Sequence, residues 1–106
     1  EAVYVDPKLN EYIVNSVRNT RPTSTLISDV KPYIRHGASP RASLSLLKAS
    51  RAQALLEGRN YVVPEDIKYS LFEILRHRVM LTFDALSEDI SIESILSTIR
   101  EGTRLP

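Results

Sequence analysis

The 106-residue chain has no cysteine, so it can form neither a disulfide bond nor a metal site with thiolate ligands. It has no run of 18 apolar residues, the length that a membrane-spanning helix needs. Its glycines are scattered, and no Gly-x-x-x-x-Gly-Lys-Ser/Thr motif is present to hold the phosphates of a nucleotide. The two histidines are far apart, so no metal site is predicted. These absences argue against catalysis by this chain alone, and the lack of cysteine agrees with a cytoplasmic protein.

The composition indicates one small globular domain over residues 1–106, because 42% of the residues are hydrophobic and 25% are charged. A net charge of +1 argues against a general nucleic-acid binder. Residues 31–59 nevertheless carry six basic residues against Glu57 alone, whereas residues 60–106 carry five basic and eight acidic residues. This positive segment is either a solvated face or a surface that attracts an anionic partner. The start at Glu1, without methionine, suggests a piece excised from a longer protein.

Helix start and stop signals, together with apolar residues at helical spacing, predict four helices. Asp6 and a proline cap the first, which is expected to stop before residue 20, and prolines at positions 40 and 64 open the second and third. The second is expected to end near Glu57 with Gly58 just beyond it. The fourth begins after Ser91 and closes at Gly102.

The apolar faces of these four helices predict the core. In chain order, the inward residues are Leu9, Tyr12, Ile13, Ser16 and Val17; Ala42, Leu46, Ala49 and Leu56; Ile67, Leu71, Ile74, Leu75 and Arg78; and Ile92, Ile95, Leu96 and Ile99. Five more residues widen the stripe of the second helix: Leu44, Leu47, Ala52, Ala54 and Leu55. The second helix is therefore expected to be buried on most sides, with Leu71 and Ile74 of the third helix facing it.

Short extended segments separate the helices. The β-branched and aromatic pieces Val3–Val5 and Tyr61–Val63 can pair as a small ribbon. Residues 20–39 are too long for an ordinary loop, and their apolar side chains, Leu26, Ile27, Val30, Tyr33 and Ile34, suggest that part of this connection is ordered. The predicted fold class is all-α, a small bundle of about four helices with minor short strands.

An arginine at the start of the second helix breaks a local rule. Ser39 is the predicted N-cap and Pro40 the first helical residue, so Arg41 lies in the first turn. Because that turn carries partial positive charge, a cation there costs a few tenths of a kcal/mol up to about 1. The cost disappears if a phosphate binds there, where the guanidinium and the free amide groups can converge on it. The alternative is a surface arginine whose stem covers apolar neighbours.

Four motifs in order resemble the C-terminal lid domain of MoxR-type AAA+ ATPases. They are Gly37-Ala38-Ser39-Pro40-Arg41-Ala42, Ala54-Leu55-Leu56-Glu57-Gly58-Arg59, Tyr61-Val62-Val63-Pro64-Glu65-Asp66-Ile67-Lys68 and Leu75-Arg76-His77-Arg78. The resemblance is dense from residue 37 to about residue 81. The long connection over residues 20–39 departs from the family pattern.

The resemblance implies specific roles. Arg41 corresponds to the sensor-2 residue, which reaches the γ-phosphate of ATP, and Gly37, Ala38, Ser39 and Pro40 belong to the same nucleotide-facing segment. ATP and Mg²⁺ would be held mainly by a separate N-terminal AAA+ core of the same protein. The family further implies a homo-oligomeric ring and chaperone-like remodelling of client proteins, with no nucleic acid and no membrane span. No residue identifies the client, the ring size, or whether Arg41 serves its own subunit or a neighbour.

Each of the other polar candidates can have either a structural or a functional role. Lys48 and Arg51 can extend the positive surface near Arg41 or extend along the core with their charges in solvent. The segment Arg76–Arg78 suits the negative end of the third helix, and His36 lies either in a cleft or in solvent.

A second function remains open. A strand, Pro-Glu-Asp and a helix, as in residues 61–67, also occur in histone-fold chains. The alternative is therefore a free-standing helical interaction module that binds nucleic acid, although the near-neutral charge weakens it.

Overall fold

Helix α1 (Pro7–Arg18) begins and ends as its sequence predicts. The computed structural model describes residues 3–23 and 25–105. The side chain of Asp6 accepts a hydrogen bond of 2.8 Å from the backbone N–H of Lys8, so it satisfies an amide that the helix itself cannot. Tyr12, Ile13, Ser16 and Val17 are buried, which confirms the predicted inward face apart from the half-buried Leu9.

Helices α2 (Ala42–Leu56) and α3 (Pro64–Leu75) form the most extensive helix–helix contact among the described residues. Gly58 has a φ of +80° just after α2, which confirms it as the residue that ends the helix. Leu46 of α2 and Leu71 of α3 are fully buried. Ile74 is only half-buried, so its prediction as a full core residue was too strong.

Helix α2 differs from its prediction at its start. It begins at Ala42 rather than Pro40, and Arg41 rather than Ser39 occupies the N-cap position. The backbone N–H groups of residues 42, 43 and 44 donate to the carbonyls of residues 39, 40 and 41, at 2.9, 3.0 and 3.1 Å. A tight turn therefore satisfies the N–H groups of residues 42–44, which we expected to be free. The residue types that signal an N-cap in a sequence do not reveal such a turn.

Helix α2 is also less buried than predicted. Leu44, Leu55 and Leu56 are 61%, 55% and 82% exposed. The buried face is narrow and consists of residues four apart: Ala42, Leu46, Ser50 and Ala54. The error has a physical reason, since an apolar side chain shows which residues can be buried but not how many neighbouring elements exist to cover them.

Helix α3 is preceded by an ion pair that the sequence did not predict. Asp66 is 3% exposed, and its side chain pairs with Arg59 and accepts a 2.9 Å hydrogen bond from the backbone N–H of Val63. The carboxylate thus caps the helix start and ties the preceding turn to it. The helix ends at Leu75, so Arg78 lies beyond it and does not belong to its inward face.

The connection over residues 20–39 is partly ordered, as predicted. A 3₁₀ turn (Lys31–Tyr33) leads into strand β1 (Ile34–His36), which pairs antiparallel with strand β2 (Met80–Leu81). Val30 and Ile34 are buried. The side chain of Leu26, in contrast, is 92% exposed, and this residue is held through its backbone N–H, which donates to the side chain of Asn19 at 3.0 Å.

A fifth helix, α4 (Phe83–Ser87), was not predicted, because five residues are too few for a periodic pattern. Thr82 caps it through a 3.2 Å hydrogen bond from the N–H of Ala85. The hydroxyl of Thr82 also donates to the carbonyl of Pro32 at 3.0 Å, which anchors α4 on the 3₁₀ turn.

Helix α5 (Ile92–Gly102) completes the bundle, with Ser91 accepting from the N–H of Ser94 at 3.1 Å and Ile95, Leu96 and Ile99 buried. The predicted ribbon exists as a single parallel bridge between Tyr4 and Tyr61. The all-α bundle with minor strands is therefore confirmed, with five α-helices in the described part of the chain instead of about four.

Candidate functional site

The segment Gly37–Arg41 leaves strand β1 and crosses the end of helix α1. The backbone N–H of Ala38 donates to the hydroxyl of Thr20 at 2.9 Å, and that hydroxyl in turn donates to the carbonyl of Val17 at 2.6 Å. Ala38 is 1% exposed and Thr20 is fully buried. The first half of the segment is therefore held in the core against the last turn of α1, a contact between residues 18 positions apart.

Gly37 is required here by a close approach of two backbones. A Cβ at this position would lie 2.1 Å from the carbonyl oxygen of Thr20 and 2.7 Å from the Cα of Arg21. Both distances are far shorter than any real Cβ contact, and the atoms that would have to move are backbone. A side chain of any size would push residues 37–38 away from α1.

The second half of the segment is exposed. Ser39, Pro40 and Arg41 are all accessible, and Arg41 stands directly before the first residue of α2 with helical backbone angles. Its guanidinium forms no ion pair or hydrogen bond with any other described residue. The segment thus joins a fixed, buried half to a cation that is available to a ligand.

The bonded amides change how an anion can be held at this helix end. Because the N–H groups of residues 42–44 already donate to carbonyls of the preceding turn, they do not point to a ligand. The prediction that free amides and the guanidinium converge on a phosphate therefore does not hold for the N–H groups of residues 42–44. The side chain of Arg41 remains for that role, with five N–H donors in a planar fork.

A cleft lies beside this segment, between the last turns of α1 and the beginning of α2. Its volume is about 310 Å³, and Arg18, Arg21, Pro40 and Ser43 are among the residues that line it. Arg18 and Arg21 were not predicted from the sequence as site residues, since their place in a cleft with Pro40 depends on how α1 packs. They add two basic side chains to the lining of this cleft.

The other polar candidates do not converge on Arg41. Lys48 and Arg51 are exposed on α2, and at 1.5 Å per residue they lie about 10 and 15 Å along the helix from Arg41. His36 is exposed on β1. Their positions favour the solvated reading of these side chains.

The segment Arg76–Arg78 has structural partners. Arg76 pairs with Glu93 of α5. The guanidinium of Arg78 donates to the carbonyl of Ile74 at 2.6 Å, which satisfies an acceptor in the last turn of α3. These contacts support the structural interpretation of the motif, and His77 is exposed.

Three side chains with displaced pKa values lie outside Gly37–Arg41. Burial raises the pKa of the Tyr12 phenol. The hydrogen bond that Tyr33 donates to Glu88, 2.9 Å long, raises the pKa of Tyr33, and the hydrogen bond to Asp66 raises that of Arg59. Each shift has a local structural cause, burial for Tyr12 and a hydrogen bond to a carboxylate for Tyr33 and Arg59.

Within residues 3–23 and 25–105, no group of three or more side chains of the metal-binding types is arranged to hold an ion. Within the same ranges no helix combines the length and the apolar character that crossing a membrane demands.

Comparison with known proteins gives the family. The model of the AAA lid domain matches residues 27–99, which includes the segment Gly37–Arg41. Chaperone MoxR1 of Mycobacterium tuberculosis is 41% identical over 104 residues, which are 97% of this chain and 28% of that protein. Protein MoxR of Paracoccus denitrificans is 33% identical over 84 residues, which are 74% of this chain and 25% of that protein.

A solved structure has the same fold. The crystal structure of a candidate ATPase from Cytophaga hutchinsonii matches with a TM-score of 0.91 at 36% identity, over 98% of this chain and 32% of that one. The chain thus spans between a quarter and a third of the length of these relatives. The family match favours the lid over the free-standing module. This chain belongs to the AAA lid domain family, and it is similar to part of the MoxR-named proteins and of the candidate ATPase.

Proposed function

We propose that this lid closes over ATP held by the nucleotide-binding core of its parent protein, and that Arg41 contacts the γ-phosphate as the sensor-2 residue. The observation that carries the proposal is the state of Arg41, which is exposed, has no partner among the described residues, and follows a segment that is fixed to helix α1. The corresponding role of the family's motif supports the same assignment.

The chemistry suits one cation on a mobile domain. Phosphoryl transfer depends mainly on positioning and on stabilising the charge of the γ-phosphoryl oxygens. A guanidinium can bind two of those oxygens at once, and it arrives and departs with the lid. No carboxylate belongs to the segment Gly37–Arg41, so Mg²⁺ would be held by the core and not by this segment. On this proposal the lid alone neither binds ATP tightly nor hydrolyses it.

The parent protein is proposed to be an ATPase that assembles as a homo-oligomeric ring and remodels client proteins in the cytoplasm. The name of the Mycobacterium relative, Chaperone MoxR1, supports the chaperone-like part. No nucleic-acid partner is proposed.

The decisive experiment replaces Arg41 in the full-length parent. We expect Arg41→Ala to lower the steady-state rate of ATP hydrolysis roughly a hundredfold or more, because it removes a donor to charge that develops in the transition state. Arg41→Lys should recover only part of the rate, since a point charge cannot reproduce the planar fork. The melting temperature should hold or rise slightly, because the cation opposes the helix dipole.

Arg51→Ala is the matched control, since Arg51 is an exposed arginine on the same helix about 15 Å further along its axis. Its hydrolysis rate should equal that of the unmodified protein. Near-normal turnover in Arg41→Ala would contradict the assignment of sensor 2. A melting temperature that falls together with the rate would instead make Arg41 a structural residue.

A further inference from the structure

Thr20 is a buried polar residue that the proposed function leaves unexplained. Its side chain is fully buried at the end of helix α1, and its hydroxyl forms two hydrogen bonds at once. It donates to the carbonyl of Val17, 2.6 Å away, and accepts from the backbone N–H of Ala38, 2.9 Å away. Ala38 precedes Arg41 by three residues, so this hydroxyl is the polar link between α1 and the arginine segment.

The path from Thr20 to Arg41 is short and stiff. The backbone of Gly37 lies against the backbone of Thr20 so closely that no Cβ fits between them. Pro40 restricts the backbone just before Arg41, and the carbonyl of Ser39 accepts from the N–H of Ala42 at 2.9 Å. Little freedom therefore separates the Thr20 hydroxyl from the place where Arg41 begins.

A hydroxyl is well suited to this position. It can give its proton to one backbone carbonyl and accept from a backbone N–H with the same atom. A side chain of the same shape without the oxygen would leave the N–H of Ala38 unpaired in a site that is 1% exposed. The segment would then have to move until that N–H found water or another acceptor.

We propose that Thr20 is the positioning residue for Arg41, so that helix α1 and the sensor-2 arginine move as one body when the lid closes. This inference rests on the proposed function. The role is indirect, because Thr20 touches neither nucleotide nor reacting atoms and acts only by setting the position of the segment Gly37–Arg41.

The test compares side chains that differ in the hydroxyl. In the full-length parent, Thr20→Val keeps the branched shape and removes the oxygen, whereas Thr20→Ser keeps the oxygen and removes a methyl group. We expect Thr20→Val to lower kcat about tenfold, since a displacement of about 1 Å at a distance can cost up to 100-fold. KM for ATP should change less than about twofold, and Thr20→Ser should return kcat to within about twofold, because its hydroxyl still reaches both backbone groups.

A second measurement does not depend on activity. Hydrogen exchange of the peptide that contains residues 37–42, followed by mass spectrometry without nucleotide, should be at least about tenfold faster in Thr20→Val, because the amide of Ala38 loses its acceptor. The peptide over helix α5 serves as the internal reference and should exchange as in the unmodified protein. Faster exchange over both peptides would indicate general loosening and would overturn the proposal.

The double variant separates positioning from a merely structural effect. If Thr20 acts through Arg41, then Thr20→Val should cause no further loss of kcat in a protein that already carries Arg41→Ala. Losses that multiply in the double variant would overturn the proposal. If Thr20→Val does not fold, the pair Thr20→Ala and Thr20→Ser gives the same comparison of hydroxyl with no hydroxyl.

The outcomes also distinguish this inference from the proposed function. Normal hydrolysis in Arg41→Ala would overturn both. Impaired hydrolysis in Arg41→Ala together with normal kcat in Thr20→Val would overturn the role of Thr20 alone.

Discussion

Replacing Gly37 by alanine should damage both the stability of the lid and the position of Arg41. The added Cβ would meet the carbonyl oxygen of Thr20 at 2.1 Å, whereas ordinary van der Waals contact begins at 3.4 Å. The backbone of residues 37–38 must therefore retreat by roughly 1 Å, because the atoms it meets are backbone and the interior around Ala38 is closely packed. This retreat also lengthens the 2.9 Å hydrogen bond between Ala38 and Thr20.

The size of both effects follows from that displacement. Overpacking of this kind costs typically about 1–3 kcal/mol of unfolding free energy. On the proposed role of Arg41, a shift of about 1 Å in its position relative to the reacting phosphate can lower the rate up to 100-fold. We therefore expect Gly37→Ala in the full-length parent to lower kcat about tenfold or more, while the protein remains folded at the assay temperature.

Gly58→Ala provides the matched control. Gly58 has a φ of +80°, so alanine is strained there, but apart from Gly58 and its chain neighbours no described residue has an atom within 4 Å of the added Cβ. Its cost should be about 1–2 kcal/mol, similar to that of Gly37→Ala, and it is located at the opposite end of α2 from Arg41. Denaturant unfolding and steady-state ATP hydrolysis of both variants make the comparison. Equal rates for the two variants at equal stability would refute the argument that Gly37 sets the position of Arg41.

Two further predictions concern the core. Leu71→Ala should lower the free energy of unfolding by about 2–5 kcal/mol, because Leu71 is fully buried. The control Leu44→Ala, at a residue that is 61% exposed, should cost less than about 0.5 kcal/mol. Denaturant melts that show similar losses for the two variants would mean that the burial is misassigned. Tyr12 has a raised pKa, so its contribution to stability is complete below the ordinary value of 10.0 and is lost as the pH rises through the folded-state value. The Tyr12 hydroxyl lacks a partner among the described residues, so Tyr12→Phe should leave stability at pH 7 unchanged or raise it by about 1 kcal/mol. The same variant should weaken the loss of stability above about pH 10. A loss of more than about 1 kcal/mol at pH 7 would show that the Tyr12 hydroxyl does form a hydrogen bond in the folded protein.

The starts of three helices could be predicted from the sequence because their signals are local. Asp6 and Ser91 accept hydrogen bonds from amides within one turn, and Pro64 fixes its own φ at a helical value. Helices α1, α3 and α5 begin where these three residues predict. The start of α2 could not be predicted in the same way, and the helix begins at Ala42. Its first amides bond to the turn of residues 39–41, and Ser39 is not the residue that caps it.

The candidate site was predicted in part. The exposed Arg41 and the segment that contains it were named from the sequence, through a broken local rule and a family resemblance. Thr20 was not named, because threonine at the end of a helix is ordinary and its contact with Ala38 joins residues 18 positions apart. The same holds for Asp66, because its pairing with Arg59 required the folded turn between them.

By itself the sequence determined the fold class, the approximate course of four helices and the membership of the AAA lid domain family, because capping residues, apolar periodicity and ordered motifs are written locally in the chain. Only the tertiary structure decided which apolar residues of α2 are covered, and it left Leu44, Leu55 and Leu56 exposed. Only the tertiary structure decided where Arg41 is held. The position of Arg41 depends on the contact between the backbones of Gly37 and Thr20 and on the hydrogen bond from Ala38 to the Thr20 hydroxyl. Such contacts exist only after distant segments have packed against each other.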